Sequence, residues 1–200
     1  MADLFSKYVS QDVPESKILD ATTWFRKKAS EIEKVDTQKI LKENSLYLES
    51  RFRVGNLYIF RYDPKLKDQL PYYDIFPVVF VVSRNQKGIL ALNMHYLPLA
   101  YRARLMDALY EYSTGQDDLK RLKINYRILT AVSKLKYFRP CLKYYLNSNI
   151  RSRYLRVDSR EWDTALFLPL QKFKKSTVQV VYKDSINTIK KYNLKGNLNK

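Results

Sequence analysis

One cysteine, one histidine and four glycines in 200 residues exclude several classes of protein at once. Cys141 alone can neither close an intramolecular disulfide nor build a cysteine zinc site, and it fits a reducing compartment. His95 alone removes most metal-hydrolase constellations, and glycine-rich phosphate cradles are absent, so no cofactor is expected. The longest apolar run, Ile75 to Val82, is eight residues with Pro77 inside it. That is far short of the roughly 20 needed to cross a bilayer. The N-terminus has early acids and no apolar signal core, so neither secretion nor organellar import is expected. Acidic residues are also scarce: 20 Asp+Glu face 37 Lys+Arg, for a net charge of +17 and a pI near 9.8. This balance calls for a polyanionic partner, nucleic acid or an anionic membrane. The membrane is the weaker choice, because no helix combines a basic face with exposed bulky apolar residues.

What is abundant is tyrosine, at 17 residues, within a chain that is 46% apolar and therefore expected to fold as a single compact domain. The charge is uneven. Residues 1–118 hold 17 Lys+Arg and 16 Asp+Glu, whereas 119–200 hold 20 and 4, so the excess is C-terminal.

Apolar residues Ile18, Ala21, Phe25, Ala29 and Ile32 predict an amphipathic helix over 16–34, and Asp36 can cap a second over 37–44. Residues 1–54 thus read as an N-terminal helical arm and 55–200 as a basic α+β domain. Alternation around Tyr58, Phe60 and Tyr62, then Phe76–Ser83 and Ile89–Met94 about the loop SRNQKG, predicts three antiparallel strands. Helices are expected around Leu105–Tyr112, ended by Gly115, and over 119–136 behind Asp117 and Asp118, with a third opened by Pro140 and running to Tyr145. Arg151–Val157 and Thr177–Tyr182 read as strands around a capping box at Asp158–Glu161, and the polar tail after Ser185 as fraying. The expected class is α+β: a small antiparallel sheet, or a partly open barrel, covered by helices.

On the helix over 119–136, Lys120, Lys123, Arg127 and Lys134 fall on one stripe, while Leu122, Ile128, Leu129, Val132 and Leu135 supply the buried side. Such a stripe can follow a phosphate backbone or simply face solvent. The basic run continues through Lys136, Arg139, Lys143, Arg151, Arg153, Arg156 and Arg160, and guanidinium binds phosphate bidentately. Tyr126, Tyr137, Tyr144, Tyr145 and Tyr154 interleave with it as base-stacking candidates, to be separated from rings that only pack the core. An enzyme reading rests on Asp63-Pro64-Lys65, which has the acid-x-lysine spacing of metal-dependent nucleases, with Asp74 as a second magnesium ligand. The acids stand in the wrong order for such a site, and Asp63-Pro64 reads as a turn. Asp63, Pro64, Pro71, Asp74 and His95 are therefore assigned structural roles, and the chain is not read as an enzyme.

The stretch GNLYIFRYDPKLKDQLPYYDIFPVVFVV, followed by LNMHYLP and Arg102, resembles a family of small virion proteins of T-even-type tailed phages, the DNA end protectors. Residues that carry the resemblance include Tyr62, Asp63, Pro64, Lys65, Pro71, Tyr73, Asp74, Asn93, His95, Tyr96 and Arg102. It extends less closely into FRPCLKYYLNSNIRSRYLRVDSREWDTALFLP. The resemblance implies a minor virion component that binds the ends of packaged double-stranded DNA and shields them from exonucleases. It also implies action at head closure and head-tail joining, beside portal, neck or baseplate proteins, with the host cytoplasm as the site of assembly. The competing reading is a structural subunit of the neck or baseplate whose basic face meets acidic protein partners.

Overall fold

The computed structural model describes residues 23, 26–29, 31–32, 35–113 and 118–197. Most of the helix expected over 16–34, together with Gly115 and Asp117, lies outside the described residues. Residues 26–29, inside that span, are helical, and the first helix with described bounds is α1 (Thr37–Glu43), where the Asp36 carboxylate accepts from the Gln38 and Lys39 amides at 3.0 and 3.1 Å. The strands are β1 (Leu48–Glu49), β2 (Leu57–Ile59), β3 (Tyr73–Asp74), β4 (Val78–Arg84), β5 (Gly88–Asn93), β6 (Leu142–Leu146), β7 (Tyr154–Val157) and β8 (Phe173–Lys174). Six of them form one antiparallel sheet in the order β1-β7-β2-β4-β5-β6, and β3 pairs with β8 beside it. The sheet does not close, although Tyr62 beyond β2 bridges to Ile150 in the β6–β7 connection. The fold is α+β.

The four remaining helices are α2 (Leu99–Ser113), α3 (Asp118–Lys134), α4 (Trp162–Phe167) and α5 (Val178–Asn197). Side chains alternate across a strand, and here both faces of the sheet are buried by different means. Leu57, Ile59, Val78, Phe80, Leu92, Leu155 and Val157 meet the helices, packing with Leu105, Met106, Leu109, Leu129, Leu166 and Val181. The opposite face gathers Tyr58, Phe60, Tyr62, Val79, Val81, Ile89, Ala91 and Tyr145, closed over by Phe52. Edge-to-face contacts such as Tyr62 on Tyr145, with ring centroids 4.8 Å apart, fill this second core. Residues 35–54 do not stand apart from the rest. Ile40 and Leu41 lie in the helix-side core, and β1 pairs with β7.

Three expected elements differ. Residues 142–146 form β6 rather than a helix: each pairs with a β5 residue, and Pro140 sits within a 3-10 turn (Lys136–Cys141) that turns the chain into the sheet. Thr177–Tyr182 opens α5 rather than a strand. Its buried positions, Val181, Ser185 and Ile189, recur every fourth residue, a helical period that a six-residue β-branched window cannot display. The same helix carries the polar tail through Asn197, where fraying was expected. Asp158 caps a 3-10 turn (Ser159–Glu161) by accepting from the Arg160 amide, and Glu161 is buried.

Candidate nucleic-acid interface

α3 is an amphipathic helix seated by Leu129, Ile128 and Val132 on the helix-side core, and that seating fixes which residues it turns outward. Lys120, Lys123, Arg127 and Lys134 are all exposed. At 1.5 Å of rise per residue they make a row about 21 Å long. Among the described residues no carboxylate pairs with Lys123, Arg127 or Lys134. Tyr126 is 38% exposed, and it stands one turn from Lys123 on the same helix. Beyond the helix, Tyr137 is 44% exposed and Arg139 is exposed, extending the surface past Lys134, where Leu135 is exposed rather than buried. The side chains of Leu122 and Lys136 lie outside the described residues.

The other expected cations and rings are placed differently. Lys143 turns inward, with its ammonium 4.1 Å from the centre of the Tyr96 ring, and burial lowers its pKa. It is not a surface phosphate ligand. Tyr145 is buried and accepts from Asn93 Nδ2 at 2.9 Å, so it cannot stack on a base. Arg156 donates to Glu49 Oε1 at 2.7 Å, which neutralises it within the fold. Arg151 bonds the Ser148 carbonyl and lies 3.8 Å from Asp63, and Arg153 is exposed. Tyr144 is exposed, with its hydroxyl 2.7 Å from Asn85 Oδ1. Tyr154 is half-buried and stacked on Phe52, at a centroid separation of 3.7 Å. In the β2–β7 register Arg156 faces Tyr58, and both Tyr58 and Tyr154 belong to the aromatic core, so the sheet separates Tyr154 and Arg156 from α3.

The acids and histidine assigned to structure meet in the interior. Asp74, buried, accepts from the Phe76 amide at 3.1 Å, from Asn93 Nδ2 at 3.2 Å and from the Lys172 amide at 3.4 Å. His95 Nδ1 lies 2.6 Å from Asp74 Oδ2, and His95 has no exposed surface. Burial alone would raise the Asp74 pKa, but His95, Asn93 and the Phe76 amide outweigh it and hold the carboxylate ionised. Burial lowers the pKa of His95 and keeps it neutral, donating to Asp74. Arg102, wholly buried, completes the group: it donates to the carbonyls of Leu97, Leu166 and His95 and to the Tyr182 hydroxyl. Asp63 stays at the surface, 3.1 Å from the Lys67 ammonium. Asp63 and Asp74 therefore do not share a metal site, and no His/Cys/Asp/Glu group suited to a metal occurs among the described residues. The roles of Arg102 and Asn93 were not readable beforehand, because their meaning depends on partners up to 80 residues away.

The sequence model of the family described as phage T4 terminal DNA protecting protein matches residues 9–186. The chain belongs to that family. No curated protein and no solved structure matches it. The matched span holds both the interior group around Asp74 and the whole of α3. The family's description places it at terminal DNA in a phage, and a net charge of +17 is in keeping with such a polyanion. Head closure and the neck or baseplate reading gain no support from this membership.

Proposed function

We propose that the protein holds the terminus of packaged double-stranded DNA in the virion by laying the α3 row along one phosphate backbone, and that by occupying the end it shields it from exonucleases. The observation that carries this reading is the row itself: four exposed cations on one helix face, in a member of a DNA-end-protecting family. Arg139 extends the positive surface, and in this reading the exposed rings of Tyr126 and Tyr137 stack on the terminal base pair or a frayed strand. The mode is binding rather than catalysis. Asp74 and His95, the pair nearest to a catalytic dyad, have no surface on which a substrate could be engaged.

Internal duplex offers only phosphates, whereas an end also exposes a base face. Linear duplex should therefore compete for the protein better than a closed circle of equal length at fixed salt, and the bound ends should resist an exonuclease. Equal competition by linear and circular DNA would remove the end-binding reading and leave a nonspecific phosphate binder.

A further inference from the structure

A second positively charged surface lies on the other side of the sheet, in the half of the chain whose net charge is only +1. The segment 50–55 crosses over the aromatic core and is pinned there. The Arg53 amide donates to the Tyr58 hydroxyl at 3.0 Å, the Gly55 amide to the Val81 carbonyl at 2.8 Å, and Arg84 Nη1 to the Phe52 carbonyl at 2.8 Å. Gly55 turns the chain into β2 at φ 83°, a conformation that glycine adopts without strain. Phe52 points into the core, so its neighbours Arg51 and Arg53 point away from it and are exposed, as is Arg84. Among the described residues neither the Arg51 nor the Arg53 guanidinium has a partner. The nearby acid, Glu49, is already engaged by Arg156 and by the Tyr58 hydroxyl at 3.1 Å. Phe52, between Arg51 and Arg53 in the chain and bonded through its carbonyl to Arg84, stacks on Tyr154, which is half-buried with its hydroxyl unbonded among the described residues.

We propose that Arg51, Arg53 and Arg84, grouped around the Phe52–Tyr154 stack, form a second DNA site that takes the unpaired strand at a DNA terminus, on the face of the sheet opposite α3. This inference rests on the reading that the protein acts at DNA ends. The two surfaces differ in ways that match different substrates. α3 offers a straight row built mostly of lysines, suited as point charges to the regular phosphates of a duplex. The 51–53 segment offers a compact set of arginines around an aromatic stack, and guanidinium can both bond phosphate bidentately and lie against a base plane. Because the surfaces lie on opposite faces of the sheet, a duplex on α3 leaves the arginine set uncovered.

The test uses the full chain and two labelled probes at the same salt: a blunt-ended hairpin duplex, and an oligothymidylate of about 12 nucleotides, within the usual single-strand site size. The double variant R51Q/R53Q should lower oligothymidylate affinity about tenfold, as expected for two lost charge-assisted contacts. It should also reduce the log–log salt slope on that probe by about 1.4, leaving hairpin affinity within about twofold. Both residues are exposed and make no side-chain bond within the described fold, so the variant should melt at the wild-type temperature. Unchanged oligothymidylate binding, or an equal loss on both probes, overturns the second site. Failure of the wild-type chain to bind the hairpin at all instead overturns the parent reading.

Discussion

Asp74 is bonded to two backbone amides, to Asn93 and to His95, and the bonds to Phe76, Asn93 and His95 are out of water. Asp74→Ala should leave those groups unpaired and cost about 3 kcal/mol or more of stability, measured by urea unfolding. DNA affinity of the fraction still folded should not change. A DNA-hydrolysing activity abolished by the same substitution would contradict the structural role. The pH response follows from the pair's charge states. His95 is held neutral, so between its ordinary pKa of 6.5 and its lower folded value the unfolded chain binds more protons, and stability falls as pH drops through that range. Asp74, held ionised, adds a further loss below the ordinary 3.8. Arg102, whose Nη2 reaches the His95 carbonyl, disfavours a second charge at this point in the core. His95→Asn keeps a donor near Asp74 but cannot titrate. It should flatten the decline in unfolding free energy between pH 6.5 and more acid conditions by up to about 1.4 kcal/mol per pH unit, and an unaltered pH profile would place the titration elsewhere.

Elements carry the next set of expectations. Replacing Lys123 and Arg127 together by Gln should reduce the log–log salt slope of duplex binding by about 1.8, and a slope equal to that of the wild type would remove α3 from the interface. β5 and β6 approach so closely at Gly88 that a Cβ there would come 2.1 Å from the Tyr145 carbonyl oxygen, which is backbone and cannot swing aside. Gly88→Ala should therefore destabilise by about 2 kcal/mol or more, seen as a lowered melting temperature, through a shifted β5–β6 pairing. Elements whose pattern completes itself locally were legible beforehand: the Asp36 cap, the β4–β5 hairpin and the seating of α3 by Ile128, Leu129 and Val132 each need only a few neighbouring residues. β6 and α5 were not, because Leu142–Leu146 becomes a strand only where β5 offers an edge, and Thr177–Tyr182 shows its period only when extended to Ile189. The same limit applied to the site. The α3 row could be read from spacing, whereas the inward turn of Lys143 and the burial of Tyr145 depend on Tyr96 and Asn93, which local pattern does not connect to them.

At the scale of the molecule, the two faces of one sheet serve different ends. Helices cover one face and present α3, and the other closes on its own aromatic rings under an arginine-bearing segment. The strand order β1-β7-β2-β4-β5-β6 also has a bearing on synthesis. β2 pairs with β4 and β4 with β5, near neighbours in the chain, but β7 slots between β1 and β2 and is the last of the six to leave the ribosome. Until Val157 emerges, β2 has a bare edge and Leu57 and Ile59 lack their partners on that side. Such long-range closure slows folding and prolongs exposure to aggregation. A fragment ending at residue 150 should thus remain protease-sensitive and bind chaperone, while the full chain resists, and a protease-resistant fragment would show that β7 is dispensable. Folding is in this sense a check on complete translation: a chain stopped before β7 would not acquire the sheet that sets its two charged faces apart.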